Sequence, residues 1–151
     1  MKNFKLSEID ILSNQDWTFP TTTYYGPGRF NEIGKFCEEF EIKNPLIVTD
    51  SGSKDLPFIN KLETLLSKNN IKSEIFYNIS PNPRDDEISK GCDQFRSGKH
   101  DAIIAIGGGS AMDGGKSICL TVNSDTPLWD FEFEQPVPKI TKENAFPKII
   151  T

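Results

Sequence analysis

The sequence predicts an α/β fold: an open parallel sheet with helices on both faces. Three observations lead there. Short apolar runs of strand length alternate with segments whose apolar residues recur every three or four positions. The run at 102–106, AIIAI, has no polar residue to give it a wet face, which suits a strand buried on both sides. Asp50, Asn82 and Gly107 follow predicted strands at their carboxyl ends, the edge where open α/β sheets bind ligands.

The elements follow in order. Residues 1–20 are mixed in polarity, and Trp17, Phe19 and Pro20 are expected to lay an N-terminal arm against a domain spanning 21–151. Residues 21–25, TTTYY, are strand formers ended by the turn Gly26-Pro27-Gly28. Phe30, Ile33, Cys37 and Phe40 give a helix one apolar face. Pro45 then introduces a buried strand at 46–49 that ends at Asp50-Ser51-Gly52. An acid at that tip either caps the next turn or accepts hydrogen bonds from ribose hydroxyls.

Phe58, Ile59, Leu62, Leu65 and Leu66 mark a second helix, closed by Asn69 and Asn70, and residues 74–78 a further strand. Both prolines of Ser80-Pro81-Asn82-Pro83 fix φ and restrict their predecessors, so a stiff, extended connection is expected. The helix at 85–97 opens with acids and turns Ile88, Cys92 and Phe95 inward. His100, the sole histidine, is read as a loop residue or local hydrogen-bond partner without a functional role.

After the central strand come Gly107, Gly108, Gly109 and Ser110. Three glycines let backbone N–H groups approach a ligand closely. Ser110 suits an N-cap, so a helix is expected from about residue 111 to 123, aiming free amides and its positive end over the glycines. Strand, glycine turn and helix start together make an anion site, most often for phosphate. Lys116 lies too far from the glycines for GxxxxGK[ST], and GxGxxG is not present. Gly114 and Gly115 weaken the helix, so they serve either a close ligand approach or packing against the sheet. Asp113 and Lys116 are spaced for a surface ion pair.

Residues 124–144 hold prolines, acids and aromatics without a period and read as a long loop. Trp129, Phe131 and Phe133 either wall a ligand or, as favoured, bury themselves on the sheet edge. A last strand starts near residue 147.

With 151 residues the chain can bury one real core. A net charge of −5 and the lack of a basic run argue against a nucleic-acid partner. No apolar stretch reaches membrane-spanning length, the N-terminus lacks a signal-peptide core, and the odd, scattered cysteines fit reduced thiols in a cytosol, so a cytoplasmic protein without a membrane partner is expected. Cys37, Cys92 and Cys119 show no metal or redox spacing and read as small apolar residues on helices.

The string GGGSAMDGGKS at 107–117 resembles the GGGSxxDxxK signature of the iron-containing (group III) alcohol dehydrogenases. Gly26-Pro27-Gly28 resembles the YGxG or FGxG that opens that family. Thr49-Asp50 resembles its VTDxG strand end, and Pro81-Asn82-Pro83 its PNP segment. The resemblance covers about residues 20–151 and implies the family's N-terminal domain, a Rossmann-like sheet of the dehydroquinate synthase-like kind. It implies an NAD(P)-dependent oxidoreductase for a small alcohol or aldehyde. It further implies that Asp50, Asn82, Gly107, Gly108, Gly109 and Ser110 meet the cofactor, with Asp113 and Lys116 in the cofactor and active-site region. An acid at Asp50 would repel a 2′-phosphate, so NAD is expected over NADP.

In the family one aspartate and three histidines of a C-terminal helical domain hold iron or zinc. This sequence has one histidine and no TTAGTGSE-like segment after its last strand. The expectation is therefore a cofactor-binding domain with no metal ligand or catalytic residue of its own, inactive alone, the helical metal-binding domain being absent. A homo-oligomer is compatible with the sequence. Two alternatives stay open: a glycerol dehydrogenase or dehydroquinate synthase-like relative, and a non-enzymatic nucleotide-binding module of flavodoxin-like topology. The serine and the SAMD spacing favour the first reading over the superfamily alternative.

Overall fold

A computed structural model describes residues 21–132, 134–136 and 138–151. The arm expected at 1–20, and Phe133, lie outside the described residues.

Four parallel strands form one sheet in the order β2-β1-β3-β4. They are β1 (Pro45–Asp50), β2 (Glu74–Ile79), β3 (Ala102–Ala105) and β4 (Lys148–Ile150). Register runs Leu46 to Glu74 on one side of β1 and Pro45 to Ala102 on the other. Helices α1 (Ile33–Glu39), α2 (Pro57–Lys68), α3 (Asp85–Ser97) and α4 (Gly109–Thr121) cover both faces.

The period-two alternation of a strand sorts the core into two clusters. Leu46, Val48, Ile103 and Ala105 face α3 and α4, where they meet Ile88, Cys92, Phe95 and Ile118. Ile47, Ala102 and Ile104 face α1 and α2, where they meet Ile33, Cys37, Leu62 and Leu66. Both faces of β1 and β3 are dry, which is why their sequences read as continuous apolar runs. All three cysteines are free and buried, and burial pushes the Cys37 and Cys119 thiols up to about 11. Among the described residues no helix is long and apolar enough to cross a membrane.

Several sequence expectations need correction. Residues 21–25 form no strand, and Tyr25 is 95% exposed. Strand-forming side chains need a sheet edge to pair with, and among the described residues these pair with none. Tyr24 instead rests on Phe36, their ring centroids 4.3 Å apart. The turn after it is real: Arg29 N donates to Gly26 O at 3.3 Å, and Asn31 N to Gly28 O at 2.9 Å.

Asn82 is left-handed at φ 58°, so the proline segment turns rather than extends. His100 keeps its loop position and hydrogen-bond role, its Nδ1 3.0 Å from Asn44 O, but it is buried and its partner is distant in sequence. Trp129 is 69% exposed and donates from its indole nitrogen to Asp85 at 3.3 Å, so it is not buried on the sheet edge. The loop around it contains a 3-10 turn, Leu128–Phe131.

Gly114 and Gly115 are buried against the sheet. A Cβ on Gly114 would stand 2.7 Å from Ile79 Cδ1, and one on Gly115 would overlap the Ala105 methyl. Close helix-to-sheet packing, rather than ligand approach, requires them.

Candidate functional site

The order 2-1-3-4 puts the topological switch point between β1 and β3. The chain leaves β1 for β2 on one side, and returns to β3 on the other. Helix α2 follows β1 on one face and α4 follows β3 on the opposite face. Their connections diverge and open a crevice beyond the two strand tips, the place where doubly wound sheets bind ligands.

The β3 tip supplies the glycines. Gly107 has φ 143°, a conformation that a side chain resists. Helix α4 begins at Gly109 with Gly108 as its N-cap, so Ser110 lies within the first turn instead of capping it. The helix pattern starts with Met112 N donating to Gly108 O at 3.2 Å. The amides before Met112 have no acceptor inside the helix. No side chain caps this end, and its first turn carries no acid. Helix α3 is the contrast: Asp85, Asp86 and Glu87 fill its first turn. Among the described residues nothing caps or neutralises the positive end of α4.

A Cβ on Gly108 or Gly109 would meet nothing within 4 Å. Packing among the described residues therefore does not require glycine at either position. Their missing side chains leave an open cradle.

The β1 tip supplies Asp50. Its Oδ1 accepts from Gly52 N at 3.0 Å and Ser53 N at 2.9 Å, and its Oδ2 from Ser53 Oγ at 2.8 Å. Three of about four acceptor positions of the carboxylate are filled by its own turn. The capping role is thus present, and it aims Oδ2 at the bare face of Gly107.

The β2 tip brings Asn82 to the same edge: Asn82 N donates to Ser110 Oγ at 3.4 Å. Buried Glu87 steadies that loop by accepting from Ser80 N, Ser80 Oγ and Arg84 N. Burial alone would push its carboxyl up, but those hydrogen bonds, with the nearby Arg84 guanidinium, hold it below the ordinary range.

Asp50, Asn82 and the 107–110 turn thus share one edge. Asp113 and Lys116 stand apart on the solvent side of α4, 3.5 Å from each other with side chains 67% and 56% exposed. That surface pair contributes little to stability.

An open cleft of about 310 Å³ adjoins the glycine turn, lined by Phe30, Ser53, Phe58, Ile106, Gly107 and Gly108. Sequence periodicity assigned Phe30 and Phe58 to helix cores. The signal for a different role is their position, Phe58 in the first turn of α2 and Phe30 in the 3-10 turn Arg29–Glu32 before α1.

The chain matches the family model for iron-containing alcohol dehydrogenases over residues 20–151. It belongs to the iron-containing alcohol dehydrogenase family. It is 33% identical over 137 residues to NADH-dependent butanol dehydrogenase A of Clostridium acetobutylicum, covering 90% of this chain and 34% of that protein. It is 29% identical over 136 residues to 1,3-propanediol dehydrogenase of Citrobacter freundii, covering 86% of this chain and 35% of that protein. The crystal structure of a 1,3-propanediol oxidoreductase superposes with a TM-score of 0.78 at 28% identity, over 89% of this chain and 34% of the other. Sulfoacetaldehyde reductase from Bifidobacterium kashiwanohense, solved in complex with NAD+, superposes with a TM-score of 0.68 at 26% identity, over 79% and 31%. The chain spans about a third of the length of the curated relatives it matches.

The family name implies iron, but the described residues do not fit an iron site. His100, the sole histidine of the sequence, lies before β3, at the edge of the sheet opposite the glycine turn. No group of three or more His, Cys, Asp or Glu side chains among the described residues could hold a metal ion.

Proposed function

We propose that this chain binds NAD across the β1–β3 switch point and serves as the cofactor-binding half of an oxidoreductase for a small alcohol or aldehyde. One observation carries the reading: Gly108 and Gly109 face open space at the uncapped positive end of α4. Amides and helix dipole there suit a pyrophosphate, and a side chain would block it.

When bound, NAD supplies hydride acceptance or donation at its nicotinamide ring. The chain's own residues bind and orient. The Gly107–Ser110 turn holds the pyrophosphate. Asp50 accepts from the adenosine ribose hydroxyls if Ser53 Oγ yields its place on Oδ2. Phe30 and Phe58 offer aromatic faces to the adenine. Asn82 borders the same edge, while Asp113 and Lys116, exposed on α4, are assigned to the nicotinamide half by the family resemblance. The negative Asp50 disfavours a 2′-phosphate, hence NAD over NADP. Residues outside this domain would hold the metal, so binding without turnover is expected of these 151 residues.

The strand order is also that of flavodoxin-like modules. Calorimetric titration with NAD, NADP, FMN and ATP separates the two readings. Binding of NAD is expected; binding of FMN or ATP without NAD would contradict the proposal.

A further inference from the structure

Thr49 is fully buried in β1, and its Oγ1 has no hydrogen-bond partner among the described residues. Valine has the same shape and would fit this apolar strand without leaving a hydroxyl unpaired. A desolvated hydroxyl costs stability unless something satisfies it. Its location says what could. Oγ1 lies 3.4 Å from where a Gly107 Cβ would stand, beside Asp50 Oδ2 and the Ala111 methyl of α4. It therefore sits under the joint of the two strand tips. The helix pattern of α4 begins at Gly108 O, so the Gly107 carbonyl lies outside it.

We infer that Thr49 is a positioning residue for the cofactor turn: with an anion in place, its hydroxyl donates to the Gly107 carbonyl. This rests on the NAD reading above. The carbonyl of Gly107 and the N–H of Gly108 belong to one trans peptide plane and point opposite ways. Holding the carbonyl inward turns the Gly108 N–H outward, to the pyrophosphate. Glycine at 107 allows that peptide to rotate as a side-chain-bearing residue would not. The hydroxyl pairs only in the liganded state, so its cost in the free chain becomes affinity for the ligand.

The test is calorimetric titration of the 151-residue chain, Thr49→Val and Thr49→Ser with NAD and with adenosine, alongside melting of each free protein. The expected result is about a tenfold loss of NAD affinity in T49V with adenosine binding unchanged, since adenosine carries no pyrophosphate. The free T49V should melt at or above the parent temperature. T49S, which keeps the hydroxyl, should bind NAD within about threefold of the parent. NAD affinity equal to the parent's in T49V would overturn the inference while leaving the cofactor reading intact. Equal losses in T49S and T49V would overturn it in favour of packing. A parent chain that binds no NAD would overturn both.

Discussion

A Cβ on Gly107 would stand 3.0 Å from Asp50 Oδ2. The tips of β1 and β3 are therefore locked to each other through a missing side chain. The same Cβ would stand 2.8 Å from Ala111 Cβ, and the φ of 143° is already costly for any other residue. Gly107→Ala should destabilise the fold by about 1–3 kcal/mol in urea unfolding, from strain and overpacking together. NAD affinity should fall with it.

Gly108→Val is the opposite case. Its φ of −76° and ψ of −179° suit any residue, and its Cβ would meet nothing. Unfolding free energy should change by no more than about 1 kcal/mol, the range for altering an N-cap. NAD affinity should drop by more than about 100-fold, roughly 2.7 kcal/mol, because the side chain fills the phosphate approach. Stability and binding measured on one preparation separate these effects. A variant that folds and binds like the parent would show that the cradle is not used.

Asp50→Gly addresses cofactor choice. It removes the three hydrogen bonds that the carboxylate accepts from Gly52 and Ser53, at a cost of about 1 kcal/mol. It also removes the charge that opposes a 2′-phosphate. The ratio of NADP to NAD affinity should rise. An unchanged ratio would leave Asp50 with its capping role alone.

Glu87 gives a pH dependence. Its carboxyl is held below the ordinary range in the folded chain, so the unfolded chain takes up its proton first as pH falls. The stabilisation is full above the unfolded value near 4.5 and is lost as pH drops through the lower folded value. Melting temperature followed from pH 7 to 3 should show this acid limb. Glu87→Gln should flatten it and cost about 1–3 kcal/mol at neutral pH, since two partly buried N–H donors and a hydroxyl lose a carboxylate acceptor.

Much of the fold and of the site is legible in the sequence. The runs at 46–49 and 102–106 are apolar on both faces because helices cover both faces, so buried strands could be read directly. The glycine triplet, the acid at Asp50 and the loop at Asn82 fell at strand ends, and the structure brings those ends to one edge. What stayed hidden depended on partners distant in sequence. Strand propensity in TTTYY could not reveal that among the described residues it pairs with no sheet edge. Gly115 faces Ala105, and nothing local distinguishes that packing from ligand approach. Helical spacing placed Phe58 correctly on α2, but it put Phe30 on the first helix when that residue lies in a 3-10 turn, Arg29–Glu32, before α1, and it showed neither lining a cleft. The bond between His100 and Asn44 crosses 56 residues.

If the amides after β3 grip a pyrophosphate, a crystal of the chain soaked in NAD will show density for the diphosphate against Gly108 and Gly109, with a ribose at Asp50. NAD bound elsewhere, or a crevice closed by the chain's own side chains, would contradict it.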